Sequence, residues 1–119
     1  MKKIIILAIG LAIAVTFVHD LGAWVTARRA VVEGSREAAD VAAGLASEGE
    51  RAATAAAAEV AAKRGVSVIE YRQDDTRVEV RASVEVTGTW VLAPISARIA
   101  NRPAGTLPTI ENLATQPVR

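Results

Sequence analysis

The side chains in this chain that could do chemistry are few and scattered. A single histidine stands beside an aspartate at His19-Asp20, carboxylates pair at Glu48/Glu50 and Asp74/Asp75, and hydroxyls occur at Ser35 and Ser47. A His–Asp pair could act as a proton relay, but only inside a membrane bundle, and polarity at a membrane interface is the simpler role. Paired carboxylates become an acid and a base only where an enclosing pocket drives their pKa values apart. Glu48/Glu50 falls on a helix face expected to be solvated and Asp74/Asp75 in a turn, so neither pair has such a pocket. Asp74-Asp75 could touch calcium, yet the spacing of an EF-hand loop is missing. Ser35 and Ser47 have no histidine in pattern with them, and there is no Gly-rich phosphate loop. With no Cys and one His, thiol nucleophiles, zinc–cysteine sites and His-pair metal motifs are excluded. We therefore expect no enzyme, no cofactor or metal, and no small-molecule substrate.

The elements that would position these residues begin with an apolar run. Ile4–Val18 is too short to cross a bilayer, but Ile4–Val25 is 22 residues, about 33 Å as a helix, against a hydrocarbon core of about 30 Å. On this reading His19 and Asp20 fall in the last turn and a half of the span. Trp24 sits at the interface, with Arg28 and Arg29 among the headgroups. The competing reading is a signal peptide with Lys2-Lys3 in front, Ile4–Leu11 as its apolar part, and cleavage after Ala14. Cleavage there would leave Val15-Thr16-Phe17-Val18 at the new start, still apolar. Lys2-Lys3 and Arg28-Arg29 nearly balance across the span. The short first segment and long second one favour a single-pass protein with its C-terminal portion outside the cytoplasm.

Composition limits the remainder. The chain has 119 residues, 51% of them hydrophobic but only 3% aromatic, and a net charge of +1. One small domain beyond the span fits that length, and so weak a charge argues against nucleic acid. From Trp24 to Lys63 there is no Pro, and Ala dominates with Glu, Arg and Lys between, which predicts one long helix over 26–64. Gly65 behind Lys63-Arg64 suits its end. Val31, Ala38, Leu45 and Ala52 repeat every seven residues, with Gly34 or Ser35, Ala42, Gly49 and Ala56 between them. Such a small-residue stripe permits close helix contact, and Gly22 is a further small residue within the span where helices could meet. Its partner could be another subunit, a copy of itself, or the chain's own C-terminal part.

After Gly65 the period changes to two. Val66–Arg72 reads as a strand, Gln73–Thr76 as a turn, and Arg77–Val86 as a second strand with Val78, Val80, Ala82, Val84 and Val86 on one face. Two strands are marginal alone, so that valine face must pack on a helix or on another chain, and the upstream helix is the candidate. Thr89–Ala100 could be a third strand or a short amphipathic helix from near Pro94, and a strand followed by that helix fits best. Trp90 is a candidate anchor but most simply a core residue. The expected layout is α+β: an anchor at 1–25, a helical extension at 26–64, a small β-rich head at 65–100, and an extended or disordered tail at 101–119.

The stretch His19–Ser47 resembles the TadE/TadG-like proteins of tight-adherence pilus systems. Its carriers are Asp20-Leu21-Gly22, similar to the Asp-Phe-Gly-like turn at the end of that family's span, and the Ala-rich Ala38-Ala39-Asp40-Val41-Ala42-Ala43. The valine-rich strands of Val66–Val86 follow in the same order. The resemblance implies a membrane-anchored, pilin-like structural protein that assembles with other pilin-like subunits or itself, at the cell membrane or in a surface filament. One departure stands out: pilin-type processing uses a Gly with a Glu five residues on, and here Gly10 is followed at that distance by Val15. The expected partners are thus membrane lipid and other protein subunits, with Gly22, Gly34, Ala38, Ala42, Leu45, Gly49 and Ala52 as packing positions. A soluble binding module released after Ala14 and an accessory subunit of an unrelated envelope complex are the alternatives.

Overall fold

The computed structural model describes residues 1–101, 103 and 106–119, apart from the side chains of Leu92, Ala93 and Ser96. It is an α+β chain. Helix α1 (Lys2–Leu45) runs through a 3-10 turn (Ala46–Glu48) into α2 (Glu50–Lys63), followed by β1 (Ser67–Gln73), β2 (Arg77–Glu85), α3 (Leu92–Ile99) and β3 (Thr109–Pro117). The strands form one antiparallel sheet in the order β1-β2-β3. The chain divides into two compact units, 1–26 with 86–108, and 27–85 with 109–119.

The unit of 27–85 and 109–119 holds the sheet and most of the core. Val31, Ala38 and Ala42 of α1, Ala53, Ala57 and Ala61 of α2, and Val78, Val80 and Ala82 of β2 are fully buried in one cluster. The valine face of β2 therefore packs on the helices, as its alternation required. A core built from alanines has little volume per residue, so it works by close approach. The clearest case is Gly34, where an added Cβ would stand 3.0 Å from Val66 Cγ2.

The expected single helix over 26–64 is broken. Gly49, at φ +116, separates α1 and its 3-10 turn from α2. Arg64, at the end of α2, then pairs with Glu33 and Glu37 of α1, so α2 has doubled back along it. A straight helix would leave Ala53, Ala57 and Ala61 in water. Doubling back buries this i, i+4 stripe. The end of α2 is a Schellman closure: Gly65 N–H donates to Ala62 O and Val66 N–H to Ala61 O, with Gly65 at φ +71.

The β1–β2 turn follows from Asp74. Its carboxylate accepts the backbone N–H of Thr76 and of Arg77, and the Thr76 hydroxyl. The C-terminal segment is extended, one of the two states expected for it, and it is also paired: Thr109–Pro117 is strand β3, in register along β2 from Glu85↔Thr109 to Arg77↔Pro117. Ile110, Ala114 and Val118 supply the alternate apolar positions that pack on the core, which the surrounding prolines obscure in the sequence.

The unit of 1–26 and 86–108 contains the first half of α1 and the short α3. Of the strand and short helix expected over Thr89–Ala100, the helix forms and the strand does not. The N–H groups of Trp90 and Val91 donate to the Asp20 carboxylate and not to a neighbouring strand. Helix α3 starts before Pro94, which occupies its third position. An N–H there would have no intrahelical acceptor, so Pro costs nothing.

Candidate functional site

Helix α1 is long and apolar enough to cross a membrane. Most of the side chains from Ile4 to Val25 are exposed, among them Ile5, Leu7, Ile13, Phe17, Val18 and Leu21. Asp20 interrupts this surface and is itself only 8% exposed. Its Oδ1 accepts Trp90 N–H at 2.7 Å and its Oδ2 accepts Val91 N–H at 2.9 Å. Both carboxylate oxygens are thus occupied at the N-terminal end of α3, where unpaired N–H groups and the helix dipole favour an anion. His19 lies one residue away. Its ring stacks on Trp90 with centroids 3.8 Å apart, and its Nε2 is 2.6 Å from Gly88 O. Since a carbonyl can only accept, Nε2 carries the proton. The two residues that interrupt the apolar run are therefore the attachment point for a segment 70 positions further on.

An open apolar cleft of about 770 Å³ runs beside this junction, lined by Ile13, Phe17, Leu21 and Trp24 of α1 and by Val91 and Ile95. Trp24, expected at a membrane interface, is half-buried in the wall of this cleft. Arg28 and Arg29 are exposed. Trp90, which the sequence suggested as a core residue, is 56% exposed.

The proposed packing positions separate into two groups. Gly34, Ala38 and Ala42 are buried, and the chain's own core occupies the space around them, with Val66 over Gly34. Leu45 is half-buried at the edge of that core. Gly22, Gly49 and Ala52 are exposed, and nothing lies within 4 Å of a Cβ built at Gly22 or Gly49.

Several of the other polar residues have structural partners, while Ser47 and Asp75 are exposed. Ser35 is fully buried, donating to Val32 O at 3.1 Å and accepting from Asn112 Nδ2 at 2.7 Å, which ties β3 to α1. Glu48 and Glu50 are exposed beside the break at Gly49. Hydrogen bonds from Thr76 and Arg77 hold the Asp74 carboxyl below the usual aspartate range. The guanidinium of Arg64 forms a two-point hydrogen bond with Glu37, which lowers the Glu37 carboxyl and raises Arg64 itself. Burial, and then the charge of Glu50, raise the Tyr71 hydroxyl, which donates to Gln73 Oε1. Gln73 in turn donates to Ala46 O and covers a carbonyl at the helix break. Among the described residues, no group of three or more His, Asp or Glu side chains is placed to hold a metal ion.

Sequence reasoning placed Asp20 at the edge of the span and missed its partners. A signal was available: a carboxylate within an apolar run is costly unless hydrogen bonded, so donors had to be sought elsewhere in the chain. The chain matches no protein-family model, no curated protein and no solved structure.

Proposed function

We propose that this chain is a single-pass membrane protein of the cell envelope. Ile4–Val25 is its span and the portion from about Thr26 onward lies outside the cytoplasm. The observation that carries this reading is the exposed apolar surface of α1. A large apolar side chain is worth about 1.5–3 kcal/mol when removed from water. The exposed set from Ile4 to Val25 therefore represents on the order of 20 kcal/mol, more than the whole stability of a typical domain, about 5–15 kcal/mol. Exposure also continues past Ala14 through Phe17, Val18, Leu21 and Val25, so release by cleavage there would leave much of it in water.

Within that frame the chain acts as a pilin-like structural or accessory subunit, not as an enzyme. Support comes from a helix that leaves its apolar half free while its second half packs under a small sheet, and from the TadE/TadG-like residues of His19–Ser47. Because its own core fills the space over Gly34, Ala38 and Ala42, contacts with other subunits are made along the span, where Gly22 is open. Each such contact is weak, about 0.6 kcal/mol for polar pairs in a membrane, so assembly depends on repetition.

The test is the intact mass of the native protein in membrane pellet, culture medium and material sheared from cells. A mass retaining Ile4–Val25 in the membrane fraction alone supports an anchored accessory subunit. The same species in sheared high-molecular-weight material supports a filament subunit. A species beginning at Val15 in the medium would replace the membrane reading with a released binding module.

A further inference from the structure

We infer that α3 is a membrane-surface helix: Trp90, Val91, Ile95 and Ile99 enter the acyl-chain boundary of the leaflet at which α1 leaves the bilayer, and Asp20 holds the helix there. This rests on the reading of Ile4–Val25 as a span.

Depth is the first argument. Asp20 lies five residues before Val25, about 7.5 Å along the helix axis. Trp90 and Val91 bond directly to its carboxylate, so the N-terminal end of α3 is held at that depth. Helices lying in an interface bury their apolar face about 5–10 Å into the headgroup and acyl boundary, which matches.

The exposed face of α3 is the second argument. Ile95 and Ile99 are four residues apart on one side of the helix, Val91 precedes its first residue and accepts the Ile95 N–H, and the three are 48%, 81% and 42% exposed. Ala97, pointing elsewhere, is buried, and Arg98 in the last turn can reach headgroups by extending its stem. Trp90 at the head of the helix is the residue type enriched at membrane interfaces.

The occupant follows from continuity. The cleft between α1 and α3 is walled by Ile13, Phe17, Leu21 and Ile95, and its α1 wall is part of the exposed apolar surface of the span. Whatever solvates Ile4–Val25 also fills this cleft and meets the α3 stripe, and in a bilayer that is lipid acyl chain. The anchor of α3 is suited to such surroundings: both oxygens of Asp20 are bonded, so the carboxylate is not left bare near hydrocarbon.

The chain has no Cys, so spin labels at single introduced cysteines report one position each. Ile13→Cys, Ile95→Cys and Ile99→Cys, in the full chain in phosphatidylcholine–phosphatidylglycerol vesicles, would be compared for collision with oxygen and with a water-soluble nickel chelate. All three labels should favour oxygen several-fold. Oxygen preference at 13 with nickel preference at 95 and 99 would overturn the inference and leave the span standing. Labels at 95 and 99 shielded from both reagents would mean that a second copy or another protein covers α3, which also overturns it. Nickel preference at 13 would remove the span and the inference together. Adding Asp20→Ala to Ile99→Cys should cut the oxygen preference at 99 at least severalfold while Ile13 keeps its own. An unchanged Ile99 would overturn the holding role of Asp20.

Discussion

Val66 occupies the space that a side chain at Gly34 would need: a Cβ built at position 34 stands 3.0 Å from Val66 Cγ2 and 3.2 Å from its Cβ. Val66 cannot easily yield. Its β-branched side chain is stiff, it is 3% exposed, and its N–H closes the end of α2 on Ala61 O. Replacing a helical Gly by Ala ordinarily stabilises by about 1 kcal/mol, while overpacking costs about 1–3 kcal/mol. Gly34→Ala should therefore be neutral or destabilising by up to about 2 kcal/mol. Gly44→Ala, in the same helix with nothing within 4 Å, should stabilise by about 0.5–1 kcal/mol. Urea unfolding of the two variants in one detergent decides this. Equal gains at both positions would show that Val66 is free to move.

The break between α1 and α2 depends on Gly49, whose φ of +116 and ψ of 152 lie in a region that is nearly glycine-only. Gly49→Ala should cost about 1–3 kcal/mol even though the site is open. A loss well under 0.5 kcal/mol would mean that the chain can turn another way.

Val80→Ala tests the sheet–helix core. Val80 is fully buried on β2, and removing two carbons at about 0.8 kcal/mol each, with a cavity left behind, should cost about 1.5–3 kcal/mol. Thr115→Ala, at an exposed position of β3, should fall within about 0.5 kcal/mol of the parent. Thermal unfolding followed by circular dichroism would compare the pair, and similar shifts would argue that the valine face is not the core.

Arg64 ties the end of α2 to Glu37 and Glu33 of α1, and this makes stability depend on pH. The Glu37 carboxyl is lowered from its ordinary 4.5, chiefly by the hydrogen bond from Arg64. For a group depressed on folding, the unfolded chain takes up protons first as the pH falls. The stabilisation is thus complete above the ordinary glutamate value and is lost as pH drops below 4.5 through the folded value. Stability measured from pH 7 to pH 3 should decline more steeply for the parent than for Glu37→Gln, which cannot titrate. Parallel curves would remove the pair from the account. Since the pair is partly exposed, 0.5 M salt should flatten the difference.

The parts of this molecule that were legible in its sequence are those with a local cause. The apolar run of Ile4–Val25, the alternation of Arg77–Val86, the turn chemistry of Asp74 and the helix end at Gly65 each follow from residues within a few positions of one another. The resulting elements formed much as their periods required. A mostly Ala-rich stretch such as Val25–Lys63 also reads correctly as helix, because nothing in it opposes helix. It does not say where that helix stops, since Gly44 and Gly49 look equally permissive until a core exists for α2 to fold against. Thr109–Pro117 is the opposite case: too weak a strand alone, it is stabilised by register against β2, and its prolines hide it.

What only the tertiary structure decided was partnership over long separations. His19 and Asp20 announce themselves as polar residues in an apolar run, and the sequence by itself determined only that the run is interrupted there, which a position at the membrane interface would also satisfy. It could not determine that their partners are the Gly88 carbonyl, the Trp90 ring and the N–H groups of Trp90 and Val91. Backbone donors carry no residue signature, and any unpaired N–H in the chain would satisfy a carboxylate equally well. The small-residue stripe of α1 likewise shows that something approaches closely, because Gly and Ala leave room. Which surface fills that room is a matter of shape and chain path, and over Gly34 it is Val66 of the same chain.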